Sequence, residues 1–362
     1  IERMKINVLM NSISDPHLNQ RIARFKEDGH EVRLYGFDRC IETKSRGDVL
    51  VIGTFTNTMS YRKRIKIYLN SIRNLFKSGI DNSGIWYYQG LDVAMFATFL
   101  NPNKRYVYEE CDLVHTNVGN RVLRYVLETL DKRIIRRSLK TIFTSEGFVE
   151  YHFGSEKNIP DNCVLVPNCL SSEIWKKEKL DVVEKAFDPS HIRFAFVGGL
   201  RYKALVNIAS VISKKYPNHE FHFYGFVSPT LSENILPKGT NVFYHGAFKN
   251  PDDLFDIYAG VDVLVSTYDV VSPNVRYAEP NKLYESIFFR CPLVVSSGTF
   301  LERKVKRLEI GYSVDPFSEE DINRLVKEIE CSYIDKKSVI GKIDKTEAVD
   351  KNSIGNVIKS IK

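Results

Sequence analysis

The first forty residues alternate between an apolar run, a helical repeat and a second apolar run. Lys5–Met10 (KINVLM) is rich in strand-forming residues and predicts a buried strand. Leu18–Asp28 repeats its apolar residues at helical spacing, after Asp15 as a candidate N-cap and Pro16 at the first helical position. Glu31–Tyr35 (EVRLY) predicts the next strand. A strand, a helix and a strand within about 30 residues favour a βαβ unit, and therefore a parallel sheet.

The same alternation continues along the chain in two halves. In the first half we predict strands at Val49–Gly53, Gly84–Tyr88, Arg105–Glu109, Thr141–Thr144 and Val164–Pro167, with helices at Val93–Leu100 and Val122–Leu139. In the second half we predict strands at Arg193–Val197, Glu220–Tyr224, Val242–His245, Val263–Ser266 and Leu293–Ser296, with helices at Leu205–Lys215, Asp252–Tyr258, Lys282–Phe289 and Glu319–Glu330. The pattern indicates an α/β fold with two Rossmann-like, doubly wound domains.

The domain boundaries follow from where this periodicity weakens. We expect an N-terminal domain over 1–170, a linker over 171–190, a C-terminal domain over 191–335 and a tail over 336–362 that returns to the N-terminal domain. A chain of 362 residues is long enough for two cores of ordinary size.

Composition excludes several classes of protein. A hydrophobic content of 43% and a charged content of 27% are ordinary for a globular chain, so neither disorder nor a fibrous protein is indicated. No stretch of about 18 apolar residues predicts a spanning helix, and Lys5–Met10 is too short for a signal-peptide core. The six cysteines contain no C-x-x-C pair, which favours reduced thiols. We therefore expect a cytoplasmic protein.

The positive charge is confined to one half of the chain. Residues 1–180 contain 28 Lys and Arg against 21 Asp and Glu, a net charge of +7, whereas residues 181–362 contain 24 of each. Tyr61–Lys77 (YRKRIKIYLNSIRNLFK) is both basic and amphipathic. It predicts either peripheral contact with an anionic membrane or a domain helix with a solvated basic face. Charge alone would also allow nucleic-acid binding, but no nucleic-acid-binding module is present in the sequence, so we expect none.

The segment Ser272–Ser297 (SPNVRYAEPNKLYESIFFRCPLVVSS) carries the clearest candidate chemistry. A helix predicted to begin at Asn281 and Lys282 would present unpaired backbone N–H groups and a positive dipole end to an anion. Glu285, one turn further on, suits the two neighbouring hydroxyls of a ribose. The alternative is an ordinary capped surface helix in which Lys282 and Glu285 form an i, i+3 pair.

A second candidate motif is Phe196–Lys203 (FVGGLRYK), which follows a predicted strand. Gly198 and Gly199 would let the backbone approach a phosphate closely, and Arg201 and Lys203 would neutralise a leaving diphosphate. The alternative is a tight loop with basic side chains in solvent. Both motifs lie at the carboxyl ends of predicted strands, where ligands bind in open α/β sheets.

These motifs, in this order, resemble the GT-B fold retaining glycosyltransferases of family 4, also called glycosyl transferases group 1. The resemblance extends from about Lys5 to Glu330 and also includes the segments SDPHLNQRIARFKEDGHEV, TSEGF (Thr144–Phe148), VPN (Val166–Asn168) and FYHGAF (Phe243–Phe248). It implies two Rossmann-like domains facing a cleft, with the acceptor on the N-terminal side and a nucleotide sugar on the C-terminal side. It also implies retention of anomeric configuration, no cofactor and no metal, and the sequence contains no D-x-D motif.

The resemblance assigns candidate roles to individual residues. Glu285 matches the carboxylate that binds ribose, and Arg201 and Lys203 match the basic pair that stabilises the diphosphate. Leu283 and Tyr284 match positions whose backbone amides face the phosphates, and the loop from His245 through Gly246 to Ala247 matches one that flanks the base. The family's E-x7-E pattern places a carboxylate eight residues before Glu285, where this chain has Tyr277. The role of that carboxylate would then pass to Tyr277, Asn274 or Glu279.

The N-terminal half contributes acceptor-side candidates. The first loop, Asn11–His17, lacks the glycine pair common in the family, and it offers Asp15 and His17 instead. The segment Tyr108–His115 (YEECDLVH) carries Glu109, Glu110, Asp112 and His115, and in the family a His or carboxylate of this loop often faces the transferred sugar. The alternative is a polar surface loop. The remaining histidines show no metal-ligand spacing.

Together these features predict transfer of a sugar from a nucleoside-diphosphate sugar to a glycan or lipid-linked acceptor in surface polysaccharide assembly. Two alternatives stay open. One is a sugar-nucleotide epimerase on the same fold, and the other is a catalytically degenerate scaffold or binding protein, which Tyr277 in place of a carboxylate would fit.

Overall fold

A computed structural model describes residues 3–39, 47–56, 58–79, 83–177, 186–228, 231 and 235–361. The chain forms two compact units, one of residues 1–167 with 352–362 and the other of residues 168–351. Of the predicted linker, residues 178–185 lie outside the described residues, as does Cys40 among the predicted free thiols. Residues 172–177 form a short 3-10 helix whose Ile174 is buried in the core of the second unit.

The first unit is built on a parallel sheet of seven strands in the order β3-β2-β1-β4-β5-β6-β7. The strands are β1 (Lys5–Met10), β2 (Glu31–Asp38), β3 (Val49–Thr54), β4 (Ile85–Gln89), β5 (Tyr106–Glu110), β6 (Lys140–Phe143) and β7 (Cys163–Leu165). Its helices are α1 (Pro16–Glu27), α2 (Tyr61–Lys77), α3 (Leu91–Leu100), α4 (Arg121–Arg137), α5 (Glu146–Phe153) and α12 (Ser353–Lys359). Helix α2 contacts α3, and α3 contacts α4.

Local chemistry explains where these helices begin and end. The Asp15 side chain accepts a hydrogen bond from the Leu18 amide at the start of α1, and Pro16 occupies the first turn. Ser145 caps α5 in the same way, and Gly154 in the left-handed region ends it. The predicted N-cap of the first helix is thus confirmed.

The core of the first unit includes the last helix of the chain. Ile354, Val357 and Ile358 of α12 are buried in the same cluster as Ile6 and Val8 of β1. The sequence placed 336–362 together in a tail. The structure instead counts residues 336–351 with the second unit, because helix α11 (Glu319–Gly341) continues past residue 335, and it counts residues 352–362 with the first.

The second unit is built on a parallel sheet of six strands in the order β10-β9-β8-β11-β12-β13. The strands are β8 (Arg193–Val197), β9 (Glu220–Tyr224), β10 (Val242–Gly246), β11 (Val263–Ser266), β12 (Leu293–Ser296) and β13 (Gly311–Val314). Besides α11, its helices are α6 (Lys203–Lys215), α7 (Leu254–Ala259), α8 (Pro273–Tyr277), α9 (Lys282–Phe289) and α10 (Phe300–Leu308). Separate apolar clusters cover the two faces of the sheet at the central strands β8, β11 and β12, so these three strands are mostly apolar.

Candidate active site

The strand order of the second sheet reverses between β8 and β11, which makes this the topological switch point of the unit. In open α/β sheets ligands bind outside the carboxyl ends of the strands at such a point. The chain leaves β8 at Gly198 and leaves β11 at Thr267. The predicted FVGGLRYK motif therefore lies where the topology of this unit favours a ligand.

Glycines hold the loops after β8, β9 and β10 close together. The Gly198 amide donates to the Tyr224 carbonyl at 2.7 Å, and the Gly225 amide donates to the Gly246 carbonyl at 2.7 Å. Gly225 has φ +129°, and a Cβ there would lie 2.0 Å from the Gly198 carbonyl oxygen. Neither the dihedral angle nor the space allows a side chain, so the close approach of these loops depends on Gly225.

The missing side chain of Gly199 also leaves room for a contact within the protein. A Cβ at Gly199 would lie 2.6 Å from the ring of Phe226, which follows β9. The Leu200 amide also donates to the Phe226 carbonyl at 2.9 Å. The absence of a side chain at Gly199 thus lets the loop after β9 pack on the loop after β8.

The two basic residues of this loop have exposed side chains, and contacts within the protein hold each residue in place. The Arg201 guanidinium lies 5.3 Å from the centre of the Tyr202 ring, which in turn packs edge-on against Tyr268. Lys203 is the first residue of α6, and its amide donates to Asp269 at 3.2 Å. The Ala204 amide donates to the same carboxylate at 2.7 Å.

Asp269 therefore already occupies the amino end of α6. Its carboxylate takes the place that a ligand phosphate would otherwise have at that helix dipole. The side chains of Arg201 and Lys203, rather than the backbone of α6, remain available to an anion at this loop.

Glu285 lies on α9 and is completely buried. Its carboxylate accepts hydrogen bonds from the Lys282 ammonium at 2.6 and 2.8 Å and from the Tyr258 hydroxyl. Burial and the neighbouring carboxylate raise the pKa of Tyr258 well above its ordinary value, so its proton stays in place. The i, i+3 pair expected as an alternative is therefore present, but it is buried rather than on the surface.

Most of the other residues at the start of α9 are buried or have partners within the protein. Asn281 is the N-cap residue, with no side-chain capping hydrogen bond among the described residues. Leu283 is buried in the core, and the Tyr284 hydroxyl donates to Glu279. The Lys282 ammonium, at the end of the helix predicted to face an anion, is paired with Glu285.

Of the three residues that could replace the missing carboxylate, Glu279 is the buried one. Its carboxylate receives hydrogen bonds from Tyr284 and, at 2.8 Å, from the Lys304 ammonium of α10. Asn274 and Tyr277 lie on the five-residue helix α8 and are half-buried.

His245 is exposed at the end of β10. Its ring stacks on Tyr224 with centroids 4.1 Å apart, and its Nε2 lies 3.0 Å from His222 Nδ1. Partial burial and His222 lower the pKa of His245, which favours a neutral ring. Gly246 follows with φ +74° and open space at its Cβ position. This edge offers a flat aromatic surface of the kind on which a base can stack.

In the first unit, the acceptor-side candidates Asp15 and Glu109 lie at the carboxyl ends of β1 and β5. Asp15 caps α1 and also accepts from the Gln89 amide at 2.8 Å. His17 lies half-buried in the first turn of α1, and Asp112 is exposed.

The segment Tyr108–His115 is not a surface loop. Tyr108, Glu109 and Glu110 are the last residues of β5 and are buried. Glu109 accepts from Arg21 at 3.2 Å and from the Tyr87 hydroxyl at 2.6 Å. The interpretation as a polar surface loop is therefore wrong for these three residues, because buried partners such as Arg21 and Tyr87 satisfy their polar groups inside the unit.

His115 is also fully buried, in a short 3-10 helix after β5. It belongs to a set of four side chains that we call the buried His–carboxylate cluster: Glu110, His115, Asp131 and His152. Asp131 comes from the inner face of α4 and His152 from the end of α5. Burial and the nearby Asp131 raise the pKa of Glu110 to about 8, although His152 acts in the opposite direction.

Sequence reasoning did not find several of these partners. Asp269, Tyr258 and Lys304 come from loops or helices that are distant in sequence from the groups they bind. The only available signal was their position in the loop after β11 or on helices beside the predicted site, and position alone does not predict a contact.

Comparison with known proteins finds similar structures but no matching sequence. No protein-family model matches the chain, and no curated protein matches it either. Among solved structures, sucrose-phosphate synthase from Thermosynechococcus elongatus superposes with a TM-score of 0.66 at 13% identity, covering 99% of this chain and 95% of that one. WaaG, a glycosyltransferase involved in lipopolysaccharide biosynthesis, gives 0.65 at 12% identity, covering 98% and 99%. HepE from Anabaena, in complex with UDP-glucose, gives 0.65 at 13% identity, covering 99% and 98%.

The chain thus has the two-unit, Rossmann-like α/β fold of the GT-B class. The likeness extends over nearly the whole of both chains in each comparison, so it includes both units and not one shared domain. The fold class predicted from the sequence is confirmed.

Proposed function

We propose that this protein is a glycosyltransferase that uses a nucleoside-diphosphate sugar and retains the anomeric configuration. The observation that carries this proposal is the loop after β8. There, two exposed basic side chains, Arg201 and Lys203, follow glycines at the topological switch point of the second unit. A diphosphate needs cations beside it, and these two side chains provide them at the edge of the sheet where ligands bind.

The solved neighbours support the choice of donor. HepE from Anabaena is known with UDP and with UDP-glucose, and the catalytic domain of starch synthase IV from Arabidopsis thaliana is known with ADP. Nucleoside diphosphates are therefore the natural ligands to test here. We propose that the base lies beside His245 and Gly246. The ribose hydroxyls would then take over part of the pairing between Lys282 and Glu285.

The mechanism we propose is substitution at the front face of the donor sugar. As the bond to the diphosphate breaks, negative charge grows on the leaving oxygen, and Arg201 and Lys203 stabilise that charge. The departing phosphate oxygen takes the proton of the acceptor hydroxyl. No protein base and no cofactor is required for this step. Asp15, His17 and Asp112 of the first unit are the acceptor-side candidates.

Donor turnover is the experiment that tests the activity. We expect the purified chain to release a nucleoside diphosphate from at least one of the UDP-, GDP-, ADP- and dTDP-sugars, faster when an acceptor glycan or lipid-linked sugar is present. Phosphorus NMR follows the diphosphate, and proton NMR of the product reports whether the anomeric configuration is retained. Appearance of a free epimerised sugar without a new glycosidic bond would instead indicate an epimerase. An absence of turnover with all donors and acceptors would favour a scaffold protein.

We also propose that the first unit contacts an anionic membrane on its inner face, where a lipid-linked acceptor of surface polysaccharide assembly would lie. None of the helices in the described part of the chain is long and apolar enough to cross a bilayer. Helix α2 carries six basic residues and no acidic one. Its apolar residues Tyr68, Ile72 and Leu75 are buried against its own unit, so only the basic face is available to a membrane.

Helix α4 of the same unit adds an exposed apolar surface. Val122 and Tyr125 on its first turns are 73% and 71% exposed, and Phe99 of the contacting helix α3 is 75% exposed. Helix α4 also carries six basic residues: Arg121, Arg124, Lys132, Arg133, Arg136 and Arg137. Exposed apolar side chains flanked by arginines fit the boundary between lipid head groups and acyl chains.

Liposome co-sedimentation tests the membrane proposal. We expect binding to vesicles that contain anionic lipid, strongly weakened by salt, because each basic residue near the surface contributes about 1 kcal/mol within a Debye length. Changing Arg62, Lys63 and Lys66 to Glu, or Val122 and Tyr125 to Ser, should each reduce binding. Ile334→Ser in the second unit, which also removes an exposed apolar side chain, should not. Equal binding to neutral vesicles, or binding unaffected by both sets of changes, would contradict the proposal.

A further inference from the structure

The buried His–carboxylate cluster brings four potential metal ligands together from four different segments of the first unit. Glu110 ends β5, His115 lies in the 3-10 helix that follows, Asp131 lies in α4, and His152 lies near the end of α5. The side chains of all four are at most 1% exposed. A group of two carboxylates and two imidazoles is costly to bury unless each charge and each polar atom is satisfied.

The cluster leaves several of these atoms unsatisfied. Among the described residues, no N–H group and no alcohol or phenol hydroxyl hydrogen-bonds to Glu110 Oε2, His115 Nδ1 or Asp131 Oδ2, and all three atoms are buried. The Glu110 and Asp131 carboxyl groups are close enough to share a proton when no cation is bound. His115 Nδ1 and Asp131 Oδ2 lie 3.3 Å apart, yet they do not form a hydrogen bond. Buried polar groups in native proteins are almost always paired, and a cation bound by the two carboxylates would satisfy their unpaired oxygens.

Three of the four side chains are close enough together to hold a single ion. Glu110 Oε1 and His152 Nε2 are hydrogen-bonded at 3.0 Å, and His152 Nε2 lies 4.0 Å from Asp131 Oδ2. One ligand atom each from Glu110, Asp131 and His152 falls within 4.8 Å of the others. Two ligand atoms bound tetrahedrally to Zn²⁺ at its usual bond lengths are roughly 3.3 Å apart. Glu110, Asp131 and His152 therefore need only small side-chain adjustments to hold such an ion. His115 Nδ1 lies 3.3 Å from Asp131 Oδ2 but outside this group of three, so its side chain must move further to become the fourth ligand.

Neighbouring hydroxyls fix the orientation of two of the ligands. The Tyr108 hydroxyl donates to Asp131 Oδ1 at 3.0 Å, which leaves Oδ2 directed to the cluster. The Tyr151 hydroxyl lies 3.3 Å from His115 Nε2, which leaves Nδ1 for a metal. Hydrogen bonds of this kind typically support the ligands of protein metal sites.

We propose that the cluster is a structural site for a divalent cation of the zinc type, bound by Glu110, His115, Asp131 and His152. Two imidazoles and two carboxylates suit Zn²⁺ and the related transition-metal ions better than Mg²⁺ or Ca²⁺. Four protein ligands without solvent access describe a closed site, so the ion would connect β5, α4 and α5 and would not touch a substrate. This proposal does not depend on the proposed glycosyltransferase activity.

Metal analysis of the full chain tests the proposal. The protein is purified without chelator, exposed to ZnCl2, dialysed, and measured by inductively coupled plasma mass spectrometry. We expect about one equivalent of zinc in the wild type and in His30→Gln, which removes another buried histidine of the same unit. We expect loss of most of this zinc in Asp131→Asn and in His152→Gln. Substitution with Co²⁺ should give the visible absorption bands of a tetrahedral site in the wild type and in His30→Gln, and not in the two ligand variants.

A second measurement covers the case in which the ligand variants fail to fold. The wild-type chain is stripped with a chelator and titrated with ZnCl2 while its melting temperature is followed. Stoichiometric binding with a rise in melting temperature supports the site. A wild-type chain that takes up no zinc, cobalt or manganese and melts at the same temperature with and without them would overturn the proposal. So would a full equivalent of zinc retained by both folded ligand variants.

Discussion

Replacing Glu285 with alanine is expected to destabilise the second unit and to weaken nucleotide binding at the same time. The change leaves the buried Lys282 ammonium and the Tyr258 hydroxyl without their acceptor. Removing one partner of a buried ion pair typically costs about 3–5 kcal/mol of unfolding free energy. Urea denaturation measures this loss. Glu173→Ala, which breaks an exposed pair with Lys176, should cost no more than about 1 kcal/mol.

A compensated variant separates the structural function of Glu285 from ligand binding. Changing Lys282 to Met, Glu285 to Leu and Tyr258 to Phe removes all three polar partners together, and such apolar replacements are often neutral for stability. We expect this triple variant to recover most of the stability lost by Glu285→Ala. If Glu285 binds ribose hydroxyls, its nucleotide affinity should still fall by about 10- to 150-fold, the equivalent of roughly 1.5–3 kcal/mol. Wild-type affinity in the folded triple variant would show that Glu285 has only a structural function.

Arg201→Ala and Lys203→Ala are expected to lower turnover far more than donor binding. On the proposed mechanism these side chains stabilise charge that develops only as the bond to the diphosphate breaks. Loss of one such group typically costs about 10²–10³-fold in kcat. Both side chains are exposed, so the fold should be unaffected. Steady-state kinetics with calorimetric donor binding separates the two effects.

The chain supplies matched controls for this experiment. Lys214→Ala removes an exposed basic residue at the other end of α6 and should leave kcat unchanged. Arg201→Lys keeps the charge without the guanidinium fork and should retain part of the activity. Equal losses in donor affinity and kcat would make Arg201 and Lys203 simple anchors. Full activity in both alanine variants would place the diphosphate elsewhere.

The fold followed closely from the sequence because its strands are short apolar runs. β1, β8, β9, β11 and β12 have the predicted bounds, and so do helices α2 and α9. Strand β13 (Gly311–Val314) was missed because GYSV mixes glycine and serine into only four residues. Helix α12 was missed because its seven residues are too few for a clear helical repeat, and their burial depends on contact with distant residues of the first unit.

The candidate site was predictable only where its chemistry is local. The Asp15 cap on Leu18 and the Lys282–Glu285 pair each join two residues three positions apart, so each was visible as a pattern. The contact of Asp269 with the amide of Lys203 joins residues 66 positions apart, so no spacing rule could reveal it. The buried His–carboxylate cluster arises in the same way, because the fold alone brings β5, α4 and α5 together.

Nucleotide binding by the intact chain tests the central proposal most directly. A thermal-unfolding screen against UDP, GDP, ADP and dTDP, with Arg201→Ala measured beside the wild type, requires no knowledge of the sugar or the acceptor. A ligand present at about 100 times its dissociation constant stabilises the folded state by about 2.7 kcal/mol. The proposal predicts such a rise in melting temperature for the wild type with at least one nucleoside diphosphate. A flat response to all four nucleotides would contradict it.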